Sequence, residues 1–220
     1  MNQIFPSVWK HQGRLLTKNL VPGFRCYTEQ LVKIKGTEYR VWDPSRSKPA
    51  AAIMKGLKHF PLKHGTKILY LGIASGQTSS YFSDIIGEDG IIYGVEISER
   101  TFRELNPVAD RRNNIVPILA NARKPEEYGW IERVDVVFQD VATDDQSEIL
   151  IRNCRAFLKK NGRAMLSLKA RSIDVTKDPG IIYKQEEEKL SRHFRILERI
   201  KLDPYEKDHA FFVMEMLPQK

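Results

Sequence analysis

A chain of 220 residues, 41% apolar and 29% charged, has the composition of an ordinary globular protein and is long enough to bury a core of domain size. Its 36 Lys and Arg against 28 Asp and Glu give a net charge of +8, a field that concentrates polyanions and permits, without proving, a nucleic-acid partner. No apolar run nears the roughly 18 to 20 residues a membrane helix needs, and Met1 to Pro6 lacks the basic-then-apolar layout of a secretion signal, so a cytoplasmic protein away from membranes is expected.

The first 46 residues read as a small β-rich subdomain, because "GFRCYTEQLVKIKGTEYRVWDP" alternates polar and β-prone residues around a Lys35-Gly36 turn. Cys26 lies here and Cys154 far away, without the paired spacing of zinc ligands, so neither a disulfide nor a metal is expected. Next, "SKPAAAIMKGL" predicts a short helix capped by Ser47, with Pro49 in its first turn and a stop near Gly56.

From Lys67 onward apolar runs alternate with helical segments, which predicts a mostly parallel sheet wound by crossovers, an α/β domain over residues 47 to 220. Ile115 to Leu119 and Val134 to Phe138 are uniformly apolar and predict central strands, while Pro107 is expected to kink or divide its helix. At the end "RILERIKL" and "HAFFVMEML" flank a short polar link, the pattern of an antiparallel edge hairpin.

Ligands of open α/β sheets settle at the carboxyl ends of strands, and "LGIASGQTSS" stands at such an end. Gly72 and Gly76 would let the backbone approach a ligand, Ser75 and Thr78 would hydrogen-bond to it, and the following helix offers free N–H groups. Twenty residues past Gly76, Glu96 closes the second strand, where a carboxylate accepts both hydroxyls of a ribose. A tight turn with a solvated glutamate explains the same residues without a ligand. A nicotinamide dinucleotide also remains open, although the third glycine of its usual loop is missing. "LANAR" brings Asn121 and Ala122 beside the expected adenine, and "VFQDVATDDQ" brings Asp140 to the middle of the cleft.

The phrases "YLGIASGQTSSYFSDIIGEDGIIYGVEIS", "VDVVFQDVATDDQ", "LSLKARSID" and "PYEKDHAFFV", in this order and spacing, resemble the fibrillarin family in its archaeal form, over nearly the whole chain. The resemblance implies a class I methyltransferase fold, S-adenosylmethionine as cofactor, and methylation of ribose 2′-hydroxyls in rRNA and tRNA. It further implies a box C/D ribonucleoprotein in which guide RNA selects the target RNA, a Nop-domain scaffold holds the enzyme and a kink-turn-binding, ribosomal-protein-like subunit holds the guide. Two departures stand out: no Gly-Arg-rich extension like that of eukaryotic fibrillarins precedes the match, and Asn121 stands where many relatives carry an aspartate, a weaker adenine contact.

By the same resemblance the catalytic set is Lys48, Asp140, Lys169 and His209. Lys169 is the expected proton acceptor, Asp140 its orienting partner, Lys48 a phosphate or ribose contact, and His209 a residue that orients its neighbours or touches RNA. For Lys169 a solvated strand-end lysine, and for His209 a hydrogen-bonded strand residue, are the plain alternatives. The expected cofactor set is Gly72, Ala74, Ser75, Gly76, Thr78, Glu96, Ile97, Asn121, Ala122, Asp140 and Gln146. Arg46, Lys48, Arg123 and Arg171 are the expected phosphate contacts, which position RNA without reading its bases. A noncatalytic assembly subunit of the same complex and a protein glutamine methyltransferase remain as rival readings.

Overall fold

Apolar and polar residues alternate through the first 42 positions, and in the computed structural model, which describes residues 1–218, they form five antiparallel strands. These are β1 (Asn2–Phe5), β2 (Val8–His11), β3 (Arg14–Lys18), β4 (Leu31–Ile34) and β5 (Thr37–Trp42), in the order β1-β2-β3-β5-β4. Lys35 and Gly36, both at positive φ, make the expected turn between β4 and β5. Helix α1 (Lys48–Met54) follows, with Pro49 in its first turn. Ser47 occupies the N-cap but makes no side-chain cap; its hydroxyl instead meets Thr78 Oγ1 at 3.0 Å.

The second sheet is built from β6 (Lys67–Leu71), β7 (Ile91–Glu96), β8 (Ile115–Leu119), β9 (Val134–Gln139), β10 (Leu158–Lys169), β11 (Phe194–Lys201) and β12 (His209–Met216). Its order is β11-β12-β10-β9-β6-β7-β8, parallel from β8 to β10, with β12 antiparallel to both β10 and β11. Helices α2 (Gln77–Ile86), α3 (Glu99–Ala109) and α4 (Gln146–Phe157) join the parallel strands, and α5 (Ala170–Ile173) and α6 (Pro179–Ser191) lead to the closing hairpin. The chain runs outward from β6 to β8 and then returns to β9 on the other side of β6, so the order reverses between β6 and β9.

One expectation fails here: Ile115 to Leu119 is the edge strand β8, not a central one. Pro117 lies inside it, and a residue without an N–H suits a strand that has no second neighbour to bond. Pro107 neither divides α3 nor ends it, because only two helical residues follow it and a single backbone bond of the last turn is lost.

Alternate residues of the strands face two cores. On one side Ile68, Tyr70, Val136, Phe138, Met165 and Phe211 pack against Ala50 to Ile53 of α1, against α2, and against Trp42 of the first sheet. On the other, Leu69, Leu71, Val137, Leu166 and Phe212 pack against α4 and α6. Trp42 stacks on Tyr81 with centroids 5.4 Å apart, and Phe60, Phe82 and Phe138 continue that aromatic seam into the main sheet. Each such buried ring contributes about 1.5 to 3 kcal/mol through the area it removes from water.

The two sheets are also joined by charge. Asp84 of α2 accepts from Arg40 at 2.9 Å, Arg112 at 2.7 Å, the Thr17 hydroxyl at 2.8 Å and the Leu20 N–H at 3.0 Å. All three charged side chains are fully buried. Among the described residues no helix is long and apolar enough to cross a membrane, and no group of three His, Cys, Asp or Glu is gathered as metal ligands would be.

Candidate active site

The loop from Gly72 to Gly76 leaves β6 at the point where the strand order reverses. Its glycines are needed, though for contacts with protein: a Cβ on Gly72 (φ +76°) would lie 2.8 Å from the Asp140 carbonyl and 2.9 Å from Val141 Cγ1, and one on Gly76 (φ +95°) 2.7 Å from Leu105 Cδ1. Ala74 between them also adopts a positive φ of 52°, an uncommon conformation for a residue with a Cβ. Its N–H donates to Glu96 Oε2 at 2.9 Å, and the Ser98 N–H donates to Oε1 at 2.8 Å. Each carboxylate oxygen of this buried side chain therefore keeps an acceptor site free, the arrangement that two vicinal hydroxyls require.

A cleft of about 300 Å³ opens above the ends of β6, β7, β8 and β9. Seven of the residues expected on the cofactor side line it: Gly72, Ala74, Glu96, Ile97, Asn121, Ala122 and Asp140. Ile97 is 64% exposed although apolar, which gives the cleft a hydrophobic wall. Asn121 Oδ1 accepts from the Arg123 N–H at 2.9 Å, which leaves the carboxamide N–H groups free as donors.

Four expected residues do not line this cleft. The Ser75 carbonyl accepts from the Tyr27 hydroxyl, Gly76 packs on α3, and the Thr78 hydroxyl is taken by Ser47. Gln146 is fully buried, and its carboxamide bonds to Thr143 and Lys169 main-chain atoms. The segment that the sequence reading passed over, Val141 to Thr143, does line the cleft. Its signal was available in its place directly after a strand end beside the switch point.

The four proposed catalytic residues come from α1, the end of β9, the end of β10 and the start of β12. Strand alternation places three of them on one face: Asp140 continues the row of Val136 and Phe138, Lys169 that of Met165, and His209 that of Phe211 and Val213. Lys169 and His209 are direct register partners. The fourth arrives on α1, which packs on the same face and brings Lys48 Nζ within 2.9 Å of Asp140 Oδ2. Burial lowers the Lys48 pKa, but the Asp140 carboxylate outweighs it and leaves the ammonium above its ordinary value. Asp140 was expected to orient Lys169; its hydrogen bond in the structure goes to Lys48. His209 Nδ1 faces the Lys207 carbonyl at 2.7 Å, which fixes the ring and leaves Nε2 as the nitrogen for other contacts.

The arginines expected on RNA differ in freedom. Arg123 forms a two-pronged pair with Asp145 at 2.8 and 2.7 Å, and Arg171 bonds Asp208 and the carbonyls of Val175 and Lys177. Arg46 is exposed, and its guanidinium makes one protein hydrogen bond among the described residues, to the Thr28 hydroxyl at 2.6 Å, with no carboxylate at ion-pair distance.

The sequence model of the family described as Fibrillarin matches residues 1–217. A fibrillarin-like rRNA/tRNA 2′-O-methyltransferase from Thermococcus sibiricus is 56% identical over 202 residues, which span 91% of this chain and 89% of the relative. Aeropyrum pernix fibrillarin, solved with natively bound S-adenosyl-L-methionine, is 45% identical with a TM-score of 0.86, covering 97% of this chain and 100% of that one. The fibrillarin of a fibrillarin/Nop5p complex is 39% identical with a TM-score of 0.88, covering 96% and 98%. The main domain has the class I methyltransferase fold of these neighbours, and from the family model and these identities together the chain belongs to the fibrillarin family.

Proposed function

We propose that this protein transfers a methyl group from S-adenosylmethionine to the 2′-hydroxyl of ribose in rRNA and tRNA, as the catalytic subunit of a box C/D guide ribonucleoprotein. The observation that carries the reading is one switch-point cleft lined by two carboxylates, the half-satisfied Glu96 and Asp140, the second held by Lys48 from α1. The residues fit the cofactor: Glu96 keeps two acceptor sites for the ribose hydroxyls, Ile97 supplies an apolar wall and Asn121 free amide donors for adenine, and Gly72 and Ala74 supply a loop pressed against β9. Bound there, the cofactor would supply an electrophilic methyl group, whose bond to sulfur breaks as the ribose oxygen takes it and leaves the neutral thioether.

What the chain must do is align that oxygen and dispose of its proton. Lys169 accepts the proton of the 2′-hydroxyl. Lys48, held as an ammonium by Asp140, does not serve as the base; it fixes the carboxylate and presents positive charge to the phosphate beside the target ribose. Asp140 Oδ1 makes no protein hydrogen bond among the described residues and faces the reacting group with its negative charge, favouring a cationic ligand. His209, opposite Lys169 in the register, offers Nε2 to RNA or to the lysine.

Base selection belongs to the guide RNA, held with the enzyme by a Nop-domain scaffold and a kink-turn-binding subunit. The fibrillarin/Nop5p complex supports the scaffold part of this reading. The test is reconstitution with those partners and a guide RNA, scored for methyl incorporation at the guided ribose. Normal turnover by both Lys169→Ala and Asp140→Ala, with cofactor binding intact, would refute the assigned roles. No incorporation by the wild-type complex, with cofactor bound, would refute the activity itself.

A further inference from the structure

We propose that Gln146 is a positioning residue: its carboxamide clamps the Lys169 peptide and, through Gln139, ties that peptide to the strand end carrying Asp140. The inference rests on the reading of Asp140 and Lys169 as members of the reacting group.

The ladder between β9 and β10 ends at the pairing of Gln139 with Leu166, so Lys169 lies three residues beyond its last β9 partner. Its main-chain groups are not left open. Gln146 Oε1 accepts from the Lys169 N–H at 2.9 Å, and Gln146 Nε2 donates to the Lys169 carbonyl at 3.1 Å and to the Thr143 carbonyl at 2.7 Å. A carboxamide thus stands where the peptide of a neighbouring strand would, and only one of its two orientations works, since the flipped one would set oxygen against two carbonyls. Gln139, the residue before Asp140, donates from Nε2 to the Gln146 carbonyl at 2.7 Å. Both glutamines are fully buried, and Gln139 follows Leu71 and Val137 on the sheet face away from Asp140. Two side chains on the hidden face therefore couple the strand ends whose visible face carries Asp140 and Lys169.

A displacement of about 1 Å at such a site costs on the order of 10²-fold in rate, whereas binding of cofactor and RNA depends on other contacts. In the reconstituted ribonucleoprotein, Gln146→Met is expected to lower kcat about 10- to 100-fold while KM for RNA and cofactor Kd by calorimetry stay within about 2-fold. Gln146→Glu adds a readout that loss of packing would not give. Near pH 8 the carboxylate cannot donate and repels both carbonyls; toward about pH 6 a buried carboxyl regains its proton and with it one donor. Its activity relative to wild type should therefore rise as pH falls, while that of Gln146→Met stays flat.

If Gln146→Met does not fold, Gln146→Glu compared at the two pH values decides the matter. Wild-type kcat in either variant near pH 8, a pH profile of Gln146→Glu parallel to wild type, or weakened cofactor binding at unchanged kcat would overturn the proposal. The last result would make Gln146 a cofactor contact. An inactive wild-type complex would instead overturn the functional reading, so the two failures are distinguishable.

Discussion

Two clusters of charge, one built on Asp84 of α2 and one on Lys48 of α1, follow opposite specifications. At the junction of the sheets Arg40, Asp84 and Arg112 are fully buried, and the Asp84 carboxylate accepts four hydrogen bonds from protein. At the cleft Asp140 is 20% exposed, and a single hydrogen bond joins it to Lys48, 24% exposed. A carboxylate whose acceptor sites are all filled has nothing left to offer a ligand, so the first cluster can only hold elements together. The second leaves acceptors and donors unclaimed where solvent, and hence substrate, can reach. Charge alone does not mark a site; unsatisfied charge at a strand end does.

The strongest way to break this comparison is to remove one carboxylate from each cluster. Asp140→Asn and Lys169→Ala are each expected to cut single-turnover methyl transfer by about 10²- to 10⁴-fold while the melting temperature barely moves. Asp84→Ala should do the reverse. It strands the buried Arg112 guanidinium, leaves Arg40 with Glu29 as its one carboxylate partner, and costs about 3 to 5 kcal/mol, a fall in Tm on the order of 10 °C by calorimetry, with kcat per folded molecule unchanged. If Asp84→Ala abolished turnover in protein that remains folded, or Asp140→Asn unfolded the chain, the division between the clusters would be wrong.

Gly72→Ala tests the cradle between them. Its Cβ would meet the Asp140 carbonyl at 2.8 Å from a backbone at φ +76°, so the end of β9 must move. Strain of this kind costs about 1 to 3 kcal/mol, and both cofactor affinity and Tm should fall together. A variant that loses neither would show that the loop has room to spare.

A smaller effect attaches to the Lys48–Asp140 pair, whose stability contribution should be within about 1 kcal/mol because both groups are partly solvated. Its sign with pH follows from the raised pKa of Lys48. A lysine whose folded pKa exceeds its ordinary value of 10.5 contributes fully below that value and loses the contribution as pH climbs through the folded pKa. The difference in unfolding free energy between wild type and Lys48→Met should therefore stay level from about pH 6 to pH 9 and shrink only in stronger alkali. A decline beginning near neutrality would contradict an ammonium held by Asp140.

The sequence made the sheet legible because strand periodicity and the Lys35-Gly36 turn are local signals that the tertiary structure obeys. The position of β8 was misread because a uniformly apolar run looks central when only one covered face and one neighbour are needed to bury it, and Pro117 was the signal that should have decided. Of the site, Glu96 and Asp140 were legible as carboxylates at strand ends. Gln146 was not, since nothing in "TDDQSE" tells whether an amide points into a cleft or folds back on the main chain. The partners of Asp84 were equally hidden, as Arg40, Asp84 and Arg112 are distant in sequence and meet only when two sheets do.

The same distinction between filled and open charge separates the arginines, and it gives the smallest predicted effect. Arg123 and Arg171 are tied to Asp145 and Asp208, whereas Arg46 stands exposed without an acidic partner among the described residues. A guanidinium already paired gains little from a phosphate, because the carboxylate must be displaced first. An unpaired one releases counterions when it meets the backbone. In a salt titration of the assembled complex with target RNA, Arg46→Ala should therefore reduce the slope of log Kobs against log salt by about 1, uniformly across target sequences. Arg123→Ala should leave that slope unchanged. Equal losses from both substitutions would mean that the ion pairs open on RNA binding, and that pairing in the free protein is no guide to which cations meet phosphate.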